Sequence, residues 1–185
     1  MELKTELSFE NSTRWIERAQ EHIPGCSQTF SKSRQQFPEG ASPLFIRSGQ
    51  GAYVEDVDGN RFIDYAMALG PAILGYSHLE VNRAVEEQLR QGTLFSLPHP
   101  LEVEVAEKLA ELIPCAEMVR FGKNGSDATA GAVRAARAYT ERDLIACSGY
   151  HGWQDWYIGT TTRAAGVTAV TVHMRMIGTS RLFRT

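Results

Sequence analysis

From residue 76 onward the chain alternates between two hydrophobic periods, and this alternation restricts its fold more than any other feature. Ser77-His-Leu-Glu80 reads as a capping box that opens a helix over 78–91, with Gly92 as its stop. Leu79, Val81, Val85 and Leu89 fall mostly three or four residues apart, as one helix face requires. Pro100 opens a second helix, whose core side is Val103, Val105, Ala106, Leu109, Leu112 and Ile113; Pro114 closes it. A short apolar strand is expected at Met118–Phe121, then a glycine turn, Gly122-Lys-Asn-Gly125, and a helix from Ser126 to about Tyr139. Leu144–Cys147 reads as another buried strand. Helix, strand, helix, strand in that order predicts an α/β fold with a parallel sheet and crossover helices.

Upstream the pattern is different. Phe9, Trp15, Ile16, Ala19 and Ile23 form an apolar stripe on a helix over 8–23, ended by Pro24-Gly25. Residues 24–43 are rich in Ser, Gln, Pro and Gly and read as a loop. Leu44–Arg47 is one short strand. Tyr53–Val57 and Arg61–Tyr65 flank Asp58-Gly59, a tight-turn signal between two strands.

Composition narrows the function classes. Hydrophobic residues make up 43% and charged residues 22%, the profile of a globular protein with a core. A formal net charge of -3 argues against a nucleic-acid binder. The charge is uneven: no Asp or Glu follows Asp155, whereas Arg163, Arg175, Arg181 and Arg184 do. Such a basic end suits either a polyanion partner or an unstructured or foreign terminus. Cys26, Cys115 and Cys147 are odd in number and widely spaced, so neither a zinc site nor a disulfide framework is expected. Reduced thiols and the absence of an apolar leader in Met1–Glu10 predict a cytoplasmic protein. The longest apolar stretch, Ala66–Tyr76, is broken by Gly70, Pro71 and Gly75 and does not suit a membrane span.

Two motifs carry chemistry. The first is strand, Gly122-Lys-Asn-Gly-Ser-Asp-Ala128, helix. A glycine turn at a helix start leaves backbone N–H groups unpaired beside the positive end of the helix dipole, which suits a phosphate. Ser126 adds a hydroxyl and Lys123 a charge. The spacing fits neither G-x-G-x-x-G nor G-x-x-x-x-G-K-[ST], since residue 117 is Glu and residue 124 is Asn. A plain tight turn with Ser126 as N-cap explains the same residues without a ligand. The second motif is Tyr150-His-Gly-Trp153, just after the strand 144–147. Ligands of parallel sheets sit beyond the carboxyl ends of the strands. Tyr150 is placed to stack on a planar ring; His151 suits a general base, a metal ligand or a structural role. Trp153, Trp156 and Tyr157 read as packing or dimer contacts.

Several segments resemble one enzyme family in order and spacing. Gly51-Ala-Tyr-Val-Glu-Asp-Val-Asp-Gly-Asn-Arg-Phe-Ile-Asp-Tyr65 resembles the strand-turn-strand that opens class III aminotransferases. Leu69-Gly-Pro-Ala-Ile-Leu-Gly-Tyr-Ser-His78 is similar to the following segment in glutamate-1-semialdehyde aminomutases and their relatives. Asn124-Gly-Ser-Asp-Ala128 resembles the family's phosphate-cup motif, Arg134-Ala-Ala-Arg-Ala-Tyr-Thr140 continues its helix, and Tyr150-His-Gly152 is similar to its ring-stacking motif. The likeness runs from about residue 8 to Val167.

The resemblance implies an incomplete type I fold of enzymes dependent on pyridoxal 5'-phosphate (PLP). Residues 1–75 would form an N-terminal helix, loop and hairpin segment, 76–167 the start of the PLP-binding large domain, and 168–185 a tail outside the family pattern. Gly125 and Ser126 would hold the PLP phosphate and Tyr150 would stack on its ring, with Asp127 at the family's acidic position. No catalytic residue and no metal ligand is assigned. The partners implied are a small-molecule amino donor, a carbonyl acceptor and, in the full-length parent, a second copy of the chain. The family's Schiff-base lysine falls beyond this sequence: Lys4, Lys32, Lys108 and Lys123 do not occupy its place. The chain is therefore expected to be inactive alone, as a gene fragment or a shifted reading frame would be. The loop Pro24-Gly-Cys-Ser-Gln-Thr-Phe-Ser-Lys32 departs from the aminomutase pattern. That favours an aminotransferase over an aminomutase as the parent activity, while the missing lysine favours the other alternative, a non-catalytic fragment, for this chain itself.

Overall fold

The computed structural model describes residues 6–38, 40–167 and 174–176, the last as backbone only. They divide into two compact units, one running to Ser96 and one beginning at Leu97.

The first unit is built on an antiparallel meander. Strand β1 (Ile46–Gln50) pairs with β2 (Tyr53–Asp56), and β2 with β3 (Arg61–Ile63). The register Tyr53↔Ile63, Val54↔Phe62 and Glu55↔Arg61 closes around the expected turn, where Gly59 has φ +72°. This conformation is nearly free for glycine and costly for most side chains. β1 begins two residues later than the apolar pattern suggests and extends to the paired Gln50. Helix α1 (Glu10–His22) packs Ile16 and Ala19 inward, and Trp15 lies 6.2 Å from Phe45.

The hairpin turn also caps that helix. The residue before α1 is Phe9, which has no side-chain acceptor to offer. Asp58 supplies one from across the unit. Its carboxylate accepts from Asn11 N at 2.6 Å, Ser12 N at 2.9 Å and Ser12 Oγ at 2.7 Å. Buried Asp56 sets the shape of the turn, accepting from Asp58 N, Asn60 N and Asn60 Nδ2 at 2.9, 2.7 and 2.8 Å. Asn60, also buried, ties back to Ser8 O at 2.6 Å. A carboxylate on helix-start amides makes charge-assisted bonds, each stronger than a neutral pair. Asp58→Ala should therefore lower stability by about 1–3 kcal/mol. The midpoint of urea unfolding, followed by far-UV circular dichroism, measures the loss; an unchanged midpoint would refute the capping role.

Residues 64–77 return along β1. Gly51 and Tyr76 exchange backbone hydrogen bonds at 2.9 and 2.8 Å, and Gly75 lies against the Gly51 backbone where no side chain fits. The Tyr76 ring covers Gly49, and its hydroxyl donates to Asp64, which also accepts from Ala66 N at 2.8 Å and Ala68 N at 3.3 Å. These contacts hold a turn in which Met67, Ala68 and Leu69 all have left-handed φ, of 47°, 53° and 69°. Each such residue costs of order 1 kcal/mol, so the turn depends on its surroundings. The bond lowers the Asp64 pKa below 3.8, against a smaller opposing effect of burial, and raises that of Tyr76 above 10.0. The Asp64 contribution is present above its unfolded value and lost as pH falls through its depressed folded one. The Tyr76 contribution is present below its unfolded value and lost as pH rises through its raised folded one. Of the six tyrosines, Tyr76 should ionise late in an absorbance titration at 295 nm, and Asp64→Asn should bring that step back toward the ordinary range.

Helix α2 (Leu79–Gln91) corrects the capping-box reading. Its N-cap is His78, and the Ser77 hydroxyl donates instead to Gly49 O at 2.8 Å. Ser77 itself has φ 54°, so its side chain faces the strand and not the helix start. Gly92 ends α2 as expected.

The second unit starts with α3 (Pro100–Leu112). Here His99 and Glu102 form a reciprocal cap, with His99 Nδ1 accepting from Leu101 N and Glu102 from His99 N. No strand forms at Met118–Phe121, a second correction: no described segment pairs with it, and Met118 is 93% exposed. Helix α4 (Gly125–Thr140) leads to β4 (Ile145–Cys147), then to the short α5 (Asp155–Ile158). β4 pairs in parallel with β5 (Met174–Met176), in the register Ile145↔Met174 and Cys147↔Met176. Cys147 and Tyr157 form the buried core here, with Ile145 and Trp156 against it. The apolar residues of α2 and α3 that were expected to be buried are not: neither helix has a buried residue.

Candidate functional site

All three residues singled out for cofactor contact lie in the second unit. Gly125 and Ser126 are the first two residues of α4, and Tyr150 lies in the loop after β4.

The helix start is organised by Asn124, whose Oδ1 accepts from Asp127 N at 2.9 Å while its carbonyl accepts from Ala128 N at 3.2 Å. The first bond satisfies one of the amides that a helix leaves unpaired at its first turn, and the second is the first regular bond of the helix. Among the described residues none accepts from Gly125 N or Ser126 N, and a Cβ at Gly125 would meet nothing within 4 Å. Two free amides, open space and the positive end of a helix dipole fit a phosphate. Asn124, and not Ser126, is the N-cap, which leaves the Ser126 hydroxyl out of the capping role. Lys123 is exposed just before the turn. Lys108 is engaged elsewhere, 2.7 Å from Glu111 on α3.

The loop after β4 docks on this helix start. Gly152 has φ +117°, and a methyl group there would fall on Ser126, 3.1 Å from its Cβ and 3.4 Å from its Cα. Glycine is thus required twice, for conformation and for contact. The Thr129 hydroxyl lies 3.0 Å from His151 O and 3.1 Å from Ser126 O, so its one proton is shared between the loop and its own helix. Tyr150 is 75% exposed beside this junction. His151 is turned to structural use: its Nε2 donates to Ser148 O at 2.6 Å. Among the described residues no group of three His, Cys, Asp or Glu side chains suits a metal ion. No described helix is long and apolar enough to cross a membrane.

Sequence reasoning missed Thr129 and Gly152 as the joint between the two motifs. Thr129 stands three residues after Ser126, on the same helix face, which was the available signal. Gly152→Ala should undock the loop at a cost of about 2–4 kcal/mol, combining the clash with the φ penalty. Gly149→Ala, where φ is +82° but space is open, should cost about 1 kcal/mol. Chymotryptic cleavage at Tyr150 and Trp153 reads the difference: equal rates in the two variants would show that the Ser126 contact is immaterial.

The chain as a whole is similar to known proteins. The family model for class-III aminotransferases matches residues 36–181, a span that enters the segment 168–185 expected from the sequence to lie outside the family pattern. A 3-aminobutyryl-CoA aminotransferase of Cloacimonas acidaminovorans (strain Evry) is 42% identical over 153 residues, covering 82% of this chain and 37% of that protein. A solved structure of a transaminase with PLP bound is 34% identical, with a TM-score of 0.80 over 93% of this chain and 42% of its own. The FumI protein of Sphingopyxis sp. MTA144, in its PLP internal aldimine form, is 35% identical, with a TM-score of 0.80 over 89% of this chain and 39% of its own. The fold is therefore that of the type I PLP-dependent transferases, present in part. Within that class, the chain belongs to the class-III aminotransferase family, whose cofactor is PLP. It spans about two fifths of the length of these relatives.

Proposed function

We propose that this chain forms part of a PLP-dependent aminotransferase that moves an amino group between an amine or amino acid and a carbonyl acceptor. Gly125 and Ser126 hold the cofactor phosphate and Tyr150 flanks its ring. The observation that carries this reading is the joint itself: Gly152 on Ser126 brings an aromatic loop to a helix start with two free amides. When bound, PLP supplies an electron sink for chemistry at the carbon bearing the amino group. The chain's own part is to bind and orient: backbone amides on the phosphate, an exposed aromatic beside it, and a loop fixed so that the two stay in register. The loop at Pro24–Lys32 favours an amino acceptor that is a separate molecule, as in a transaminase, over an aminomutase. The proposal extends to a homodimeric, cytoplasmic parent, supported by the family resemblance alone.

The site can be tested without turnover. Gly125 is the first helical residue, where proline is tolerated, and Asn124 is extended, as the residue before a proline prefers. Gly125→Pro therefore removes one N–H and little else. Inorganic phosphate should bind the chain with a Kd of about 1 mM. Its amide shifts in NMR should centre on Gly125 and Ser126, and the substitution should weaken binding about tenfold. Shifts confined to Arg175, Arg181 and Arg184 would refute the site.

A further inference from the structure

We propose that Tyr157 is a positioning residue for the ring-contacting loop, setting where Tyr150 stands without touching a ligand itself. The proposal rests on the reading of Tyr150 as the ring contact. Tyr157 is 5% exposed and belongs to the core beside Cys147, a place where phenylalanine would fill the same space. A phenol buried there must find an acceptor, and its hydroxyl donates to Gly149 O at 2.5 Å. Gly149 has φ +82° and lies next to Tyr150. A glycine at this point leaves the peptide joining it to Tyr150 many orientations, and a bond to its carbonyl selects one. The Tyr157 ring then meets the loop from the same side. It packs edge-on against Tyr150 at 5.9 Å and 88°, and against His151 at 5.4 Å and 87°. Thr129 holds His151 O from the helix side. The loop is thus held between the α4 start and one phenol, and among the described residues it is the phenol whose ring packs against Tyr150.

This makes a prediction that a merely structural tyrosine would not. Loss of the hydroxyl should leave the phosphate turn intact and spoil discrimination in favour of a ring. The probes are inorganic phosphate and pyridoxine 5'-phosphate, which has the ring and phosphate but no aldehyde to react with lysines. Quenching of tryptophan fluorescence in the full chain reports binding of the second, and its displacement by inorganic phosphate reports the first. The wild type should favour pyridoxine 5'-phosphate by about five-fold, the scale of one aromatic contact. Tyr157→Phe should keep phosphate affinity within about two-fold and bring the preference close to one. Hydrogen exchange gives a readout independent of any ligand: amides of 149–152 should exchange faster in Tyr157→Phe, with those of α1 unchanged. Faster exchange without a ring preference in the wild type would mean that Tyr157 holds the loop but Tyr150 meets no ring, which sinks the parent reading and leaves the anchoring intact. Unchanged exchange, or an equal loss of both affinities, would overturn the role of Tyr157. Tyr157→Leu, which also removes the edge contacts, should show the same split more strongly; a preserved preference there would overturn the proposal too.

Discussion

A missing side chain at Gly152 and a shared proton on Thr129 join the two halves of the candidate site. Neither contact is strong alone. A hydroxyl–carbonyl bond contributes about 1 kcal/mol net, and a close approach mainly excludes alternatives. Their importance is geometric. The turn before α4 and the loop after β4 lie far apart in sequence, and each alone is an ordinary loop. Brought together, they set a pair of free amides beside an exposed aromatic ring. What the site can bind depends on this docking more than on any single side chain.

The first unit solves a similar problem with charge. Helix α1 has Phe9 at its N-cap and no acceptor of its own, so the carboxylate of Asp58 in the hairpin turn serves instead. One short motif, Asp56 to Asn60, thereby closes a hairpin, caps a helix and ties down Ser8. The Asp64–Tyr76 bond does comparable work for the left-handed turn at 67–69, which its own residues do not favour.

Local features were legible in the sequence and tertiary ones were not. The turn at Asp58-Gly59, the stop at Gly92, the opening at Pro100 and the helix after Gly125 each depend on a few neighbouring residues, and each is observed. The Ser77 capping box failed because a carbonyl from β1 competed for its hydroxyl. Met118–Phe121 has the apolar content of a strand but no described partner, and strand pairing is a property of two segments. The amphipathic patterns of α2 and α3 correctly marked helices yet could not say what their apolar faces would meet. For the site, the motifs placed Gly125, Ser126 and Tyr150 on the right elements. The joint between them, and the contacts of Tyr157 with the loop, required coordinates.

The parallel pairing of β4 with β5 has a consequence in time. Residues 148–173, which include the whole aromatic loop, connect two strands that lie side by side. Closing such a connection costs roughly 3 kcal/mol of chain entropy before any contact repays it. As the polypeptide leaves the ribosome, α4 and its free amides emerge early and can form at once. β4 has no neighbour in this pairing until Met176 has followed. The helix start with its free amides is thus ready before the aromatic loop is anchored at both ends, and the two halves of the candidate site mature in order along the chain.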